Sequence, residues 1–289
     1  MNDPAPQPSS TPSSTPGTMP KRQAAFREDF RGRIARFYSG PLHVLMIFGI
    51  GIAVIWFSVQ HLNNPPWYAW LIVPVVFLVA HLFEWWIPRF VMHRPIKGFN
   101  NFFMAIYTRH TLAHHQFFTD HAPTVDSNRD FRIVFFPPYA LVTFILMAIP
   151  PTWILISVGL PNMGWILMMT SVFLYLNYEL FHYSCHVKDD RLAKRLPFIN
   201  TIRRHHIAHH DVHIMMEKNF NLTYPFADWL FGTSDLNRGV LATCSMAIQR
   251  RMSNRNSARL LAPQTIPRQV LHAPKRYPHK HPLPASMAT

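Results

Sequence analysis

The sequence predicts an all-α integral membrane protein, with four transmembrane helices arranged as two hairpins and a helical, histidine-rich cap on the cytoplasmic side. Three observations predict it. Residues 38–83 and 133–178 contain no Asp, Glu, Lys or Arg. The Lys and Arg residues flank those stretches and fill the two ends of the chain. The histidines gather in the segments that follow each stretch.

Hydrophobic residues make up 49% of the 289 residues, and it is their distribution that decides the class. A soluble helix or strand needs a polar face, whereas a bilayer-spanning helix needs about 20 mainly apolar residues. Each uncharged stretch is about twice that long, so each reads as a helix that crosses and one that returns. The first span runs from about Pro41 to Leu62, and Asn63-Asn64-Pro65-Pro66 turns the chain. The second runs from about Trp67 to Ile87, with Trp67, Tyr68, Trp85 and Trp86 where interfacial aromatics belong. The third is about Tyr139 to Val158, with a turn at Gly159-Leu160-Pro161-Asn162, and the fourth is about Met163 to Phe181. Residues 1–38 read as a disordered, basic leader, within which 21–36 is either a surface-lying amphipathic helix or a solvated basic segment. Residues 39–236 form the membrane-embedded domain, and 237–289 a flexible basic tail. With a Pro/Ser/Thr run at the start, the first span is expected to direct insertion.

The formal net charge is +14. The basic residues flank the apolar stretches and fill the two tails, which suits anionic headgroups rather than nucleic acid. The positive-inside rule places both termini and both long polar segments in the cytoplasm, a bacterial inner membrane being favoured over the endoplasmic reticulum. The two cysteines, Cys185 and Cys244, make no disulfide framework.

The chain has 18 histidines. Eleven of them form four groups: His93, with His81 and Glu84 upstream; His110, His114 and His115; His182 and His186; and His205, His206, His209 and His210. Spacings of three and four put side chains on one helix face, so His110 is expected beside His114, His182 beside His186, and His206 beside His209 and His210. Adjacent histidines diverge by about 100° on a helix, so one can serve one metal and its neighbour another. Nine ligands (His93, His110, His114, His115, His182, His186, His206, His209 and His210) exceed the four of a single structural zinc, and two metals fit the number better. Buried imidazoles need partners, and metal ligation supplies them. His43, His61 and His121 read as ordinary core or surface histidines, and His272, His279 and His281 lie too loosely spaced for a site. His43, His61 and His272 are expected to tolerate alanine.

In this order the motifs resemble the fatty acid hydroxylase and sterol desaturase superfamily of membrane di-metal oxygenases, over roughly residues 83–235. The resemblance rests on His93, then His114-His115, then His182-x-x-x-His186, then His206-x-x-His209-His210, and on the closing stretch from Asn219 through Asp228-Trp229 to Thr233. Two departures stand out. Pro88 occupies the place of the family's first histidine, and His110-x-x-x-His114-His115 is one residue longer than the family's His-x-x-His-His. The expected replacement for the missing ligand is His81 or Glu84, with Glu84 preferred; otherwise Glu84 pairs with Arg89.

The resemblance implies two iron ions (with zinc able to take the site on isolation), dioxygen, a lipid substrate such as an acyl chain, sterol or carotenoid, and a separate electron-donor protein. No haem, flavin or ferredoxin module is visible. Arg203 and Arg204 lie on a basic surface suited to an acidic donor as well as to headgroups. His205, Glu179, Asp211 and Asp228 are candidates to ligate or to orient the ligating imidazoles. Lipid hydroxylation is the expected activity, the alternatives being an acyl-lipid desaturase and a non-enzymatic metal-binding membrane protein. The topology is directly testable. Single cysteines placed at Asn63 and Asn162 should react with an impermeant thiol reagent only from the side opposite the termini, and labelling from the cytoplasmic side would overturn it.

Overall fold

The computed structural model describes residues 19–98, 101–188 and 199–235. The tail beyond 235, with Cys244, His272, His279 and His281, lies outside them, as do residues 1–18. The described residues form helices and no strand. In chain order these are α1 (Lys21–Arg33), α2 (Gly40–Gln60), α3 (Ile72–Ile87), α4 (Phe102–Tyr107), α5 (His115–Phe117), α6 (Phe131–Val134), α7 (Pro138–Ser157), α8 (Pro161–His186), α9 (Ile199–His209) and α10 (Phe226–Leu230). A 3₁₀ turn, Trp67–Leu71, leads into α3, and another, Asn128–Asp130, leads into α6.

Three helical runs, Gly40–Gln60, Trp67–Met92 and Asn128–Ser157, are long and apolar enough to cross a membrane. Their outward residues form an apolar belt that includes Leu45, Trp56, Val75, Leu78, Leu146, Met147, Trp153 and Ile154, all exposed. A belt of this kind on helices of spanning length marks a membrane protein, because water would not tolerate so large a patch. Helix α8 differs. It packs against α2, α3, α7 and α9, and its buried face carries Thr170, Glu179, His182, Ser184 and His186. Its neighbours shield it from the surroundings, so it can carry polar groups that an outer helix could not. It also runs five residues beyond the expected Phe181 end, so His182 and His186 stand on its last two turns.

Local chemistry explains the helix starts. The Ser39 hydroxyl accepts from Leu42 N and Pro41 follows in the first turn of α2, an N-cap with a preset φ. Both α7 and α8 begin on proline. At the opposite end Asn63 N donates to Asn162 Oδ1 and Asn162 Nδ2 donates to Asn63 O, at 2.9 and 2.8 Å. The two turns between the long helices therefore sit side by side, at the end of α8 opposite His182 and His186.

Residues 21–33 of the leader are helical, as one of its two readings has it, but α1 packs on the protein and is not a solvated segment. Its buried residues are Gln23, Arg27 and Phe30, a mixed set that fits a protein surface and not a lipid one. Phe30 meets Phe117 edge-on at 5.5 Å. Arg31 makes a two-pronged ion pair with Asp130, at 2.7 Å for each contact. The helix is thereby bound to the histidine-bearing segment that follows α4.

Close backbone approaches fix how the helices meet. A side chain at Gly51 would strike Leu176 of α8, and one at Gly40 would fall on the Asn128 carbonyl. Asn128 cannot retreat, because the adjoining Asp130 is held by Arg31. Gly40→Ala should therefore cost about 1–3 kcal/mol through overpacking. Gly49→Ala, in the same helix with open space around it, should be neutral or stabilising. Thermal unfolding of the two variants in detergent checks the contrast, and equal melting temperatures would count against it.

Candidate metal centre

Two interruptions in the helices place the first histidines. Pro88 has no N–H to donate back into α3, and from Pro88 to Met92 the chain widens into a π turn that ends on a His93 N to Pro88 O bond of 3.1 Å. A second π turn, Thr108–His114, follows α4. Its wider pitch brings residues five apart together: His110 Nε2 and His115 Nε2 are 3.3 Å apart. His110 and His114 keep parallel rings 5.5 Å apart, as their spacing of four predicts, but the ligating atom of His110 falls in with that of His115 instead. His114 turns its Nε2 to that of His182, 3.3 Å away.

The result is two groups. His93, His110, His115 and His209 form one, and His114, His182, His186 and His206 the other; within each, one ligating atom per residue lies within 4.8 Å of the rest. With metal–imidazole bonds of about 2.1 Å, opposite ligands of one ion stand about 4.2 Å apart, so each group is close to the size of one coordination sphere. His182 and His186 share a group as expected. The neighbours His114 and His115 divide between the groups, also as expected. His206 and His209 divide too, against expectation. His210 stands between the groups, its Nε2 3.1 Å from His206 Nε2 and its ring 4.5 Å from that of His115.

The hydrogen-bond partners assign the tautomers. A carbonyl oxygen only accepts, so a ring nitrogen bonded to one carries the proton. His186 Nδ1 donates to Pro123 O at 2.6 Å, His210 Nδ1 to Phe118 O at 2.8 Å and His209 Nδ1 to Lys218 O at 3.0 Å. The Thr111 hydroxyl donates to Met92 O at 2.7 Å, which leaves its oxygen to accept from His93 Nδ1 at 3.1 Å. His93 and His209 therefore both turn a bare Nε2 inward, and these face each other at 3.0 Å with no proton between them. His186 and His210 likewise both aim bare Nε2 atoms at His206, each at 3.1 Å. Facing lone pairs repel unless a cation lies between them. Protonation is resisted: burial first, then neighbouring imidazoles, hold His93, His110, His114, His115, His206 and His210 well below the usual imidazole range. A metal ion satisfies both conditions, so the donor set fits two metals.

The remaining candidates lie elsewhere. Glu84 accepts from Leu222 N, Thr223 N and the Thr223 hydroxyl at 2.6–2.7 Å. His81 sits between Phe77 O and Thr223 Oγ1. Both therefore clamp the 219–223 segment to α3 and belong to neither histidine group, so the expectation that one of them replaces a ligand at Pro88 is corrected. The Glu84–Arg89 pairing is corrected as well: the Arg89 guanidinium lies over the Trp85, Phe90 and Phe220 rings. Glu179 accepts from Phe136 N, and Asp211 accepts from His213 N in a local turn. His205 Nε2 donates to Asp228 at 3.0 Å, and Asp228 also accepts from Phe220 N, Asn221 N and the Thr233 hydroxyl. Burial pushes the Asp228 carboxyl up, but these donors outweigh it and hold it below its usual range. None of these carboxylates contacts a histidine of either group. Backbone carbonyls and Thr111 do the orienting instead. Arg203 is tied back to Val187 O. His43, expected to tolerate change, is buried between the Tyr38 hydroxyl and Phe136 O; it bears on stability and not on metal. His61 lies on the surface beside Trp165.

Comparison with protein-family models, with curated proteins and with solved structures finds no match.

The buried imidazoles set a pH dependence. His209 is pushed down to about 4, chiefly by burial, against about 6.5 in an unfolded chain. Above about 6.5 both states are neutral. Below it the unfolded chain takes up protons that the folded core resists, so stability falls as pH drops from about 6.5 toward about 4. Metal-free protein melted at pH 7.5, 6 and 5 should lose melting temperature progressively, and a flat profile would refute the neutral cluster.

Proposed function

We infer that this chain is a membrane-bound di-metal oxygenase, akin to the fatty acid hydroxylase and sterol desaturase superfamily, that hydroxylates a lipid. The observation that carries the reading is the pair of all-histidine groups with bare Nε2 atoms converging at one end of an apolar helix bundle. The reading includes four spans in two hairpins, with α8 as the fourth. The shielding of α8 by three apolar helices supports this, as does the Asn63–Asn162 link at the end opposite the histidines. The positive-inside rule then puts the histidine cap and both termini in the cytoplasm.

Two iron ions supply the redox chemistry that dioxygen activation needs and that zinc, with one oxidation state, cannot. His93, His110, His115 and His209 would hold one, and His114, His182, His186 and His206 the other. The residues around them keep the site dry. The Phe118 ring stacks on His186 at 4.1 Å and Phe220 lies 6.0 Å from His209, so water that would quench a reactive species is excluded. A site at the mouth of the bundle can meet an acyl chain, sterol or carotenoid without drawing it fully into water. Electrons come from a separate protein.

Purified protein should contain two metals per chain and, loaded with iron, give the Mössbauer signature of a coupled pair. Lipid extracts from cells that express it should gain products heavier by one oxygen. Products lacking two hydrogens would identify a desaturase instead. A single zinc and an unchanged lipid extract would sink the oxygenase reading in favour of a metal carrier or sensor.

A further inference from the structure

The loop from Phe117 to Asp126 has two faces. Inward, its Phe118 and Pro123 carbonyls accept the Nδ1 protons of His210 and His186. Val125 N also donates to His186 O at 2.8 Å, tying the loop to the end of α8. Outward, the intervening carbonyls face α1. Arg27 donates through Nε to Phe117 O at 2.8 Å, through Nη2 to Ala122 O at 2.6 Å, and through Nη1 to Thr124 O and Asp126 Oδ2 at 3.0 and 2.8 Å. Gln23 Nε2 reaches Phe117 O and Ala122 O at 2.9 and 3.1 Å, and its Oε1 accepts from the Thr119 hydroxyl. Arg27 is only 1% exposed, and its guanidinium lies over the Phe117 ring at 4.7 Å.

We propose that α1 is a clasp for one of the two metals. Arg27, with Gln23, holds alternate carbonyls of this loop, and so fixes the two that set the tautomer of His186 and His210. The proposal rests on the reading that the histidine groups hold metal. Arg27 is a positioning residue, acting through the loop on the His114, His182, His186 and His206 group. In the other group His93 and His209 take their orienting partners from Thr111 and Lys218 O; α1 packs against α5, which begins at His115, but the His115 Nδ1 has no hydrogen-bond partner for it to hold. A planar guanidinium with a fixed fork suits this work. Its three nitrogens meet four acceptors at set angles, which an ammonium on a flexible stem cannot reproduce. Partners that orient a ligating histidine are commonly worth 10–100-fold in metal affinity, and here that effect should fall chiefly on the site that His186 joins, with His210 between the two.

The test uses the full chain in lipid nanodiscs, stripped of metal and titrated with cobalt(II) against a competing chelator. Two backgrounds separate the sites: His93→Ala leaves the second group intact and His182→Ala leaves the first. Arg27→Met should weaken cobalt binding about 10–100-fold in the His93→Ala background and less than about threefold in the His182→Ala background. Arg27→Lys and Gln23→Leu should show the same selectivity with smaller losses, and they carry the test if Arg27→Met does not fold. Asp29→Asn, on the outer side of α1, should change neither site. Equal weakening at both sites, or none at the second group, would overturn the clasp while leaving the metal reading intact. Absence of cobalt binding in the parent chain would instead refute the metal reading itself.

Discussion

Burying many neutral imidazoles in one small volume constrains everything around them. Each ring has one proton and one lone pair, and burial removes the water that would otherwise satisfy both. In this protein the protons are turned outward onto Pro123 O, Phe118 O, Lys218 O and Thr111. The lone pairs are thereby forced inward, where those of His93 and His209 face each other and those of His186 and His210 both face His206 at about hydrogen-bond distance. An unfilled arrangement of that kind is unfavourable, so the fold holds in place an electrostatic arrangement that a bound cation relieves. The helix bundle, the π turns and the cap are the means of keeping the lone pairs in place.

The distribution of polar groups among the long helices follows from the same constraint. Someone tracing charge alone would place α8 with the others, yet it is the helix that brings His182 and His186 to the centre and it lies inside the rest. Glu179, three residues before His182, is satisfied by Phe136 N and is not left facing lipid. The outer helices can then be almost wholly apolar. Glycine at Gly51 permits the close approach of α2 to α8, so that packing, with no hydrophobic drive between helices in lipid, holds the bundle together.

Carboxylates serve a different purpose from the one their positions suggest. Asp228 gathers Phe220 N, Asn221 N, the Thr233 hydroxyl and His205, and Glu84 gathers the Leu222 and Thr223 backbone. Together they fold the 219–233 segment onto α3 and support the Phe220 ring beside His209. Negative charge thus goes into shaping the walls, and the two histidine groups are left with neutral side chains. The total charge of such a site then depends on the ions and on what binds to them.

The sequence by itself determined that the protein is helical and suited to a membrane, since long uncharged runs admit little else. It determined the ends of α2 and α7 to within a few residues through their flanking prolines and turns. It also marked the nine histidines that the structure brings together, because their number and clustering have few other causes. Which histidine joins which group was decided by tertiary structure. A π turn changes the angle between successive side chains, and nothing in a spacing of four announces that the local pitch is wider than that of an α-helix. The roles of Glu84 and His81 were likewise hidden, because Leu222 and Thr223 lie more than a hundred residues away, and that of Asp228 because it gathers backbone amides with no signature of their own. The part played by Arg27 was equally invisible. A basic residue in a polar leader looks solvated until the loop whose carbonyls it holds has folded against it.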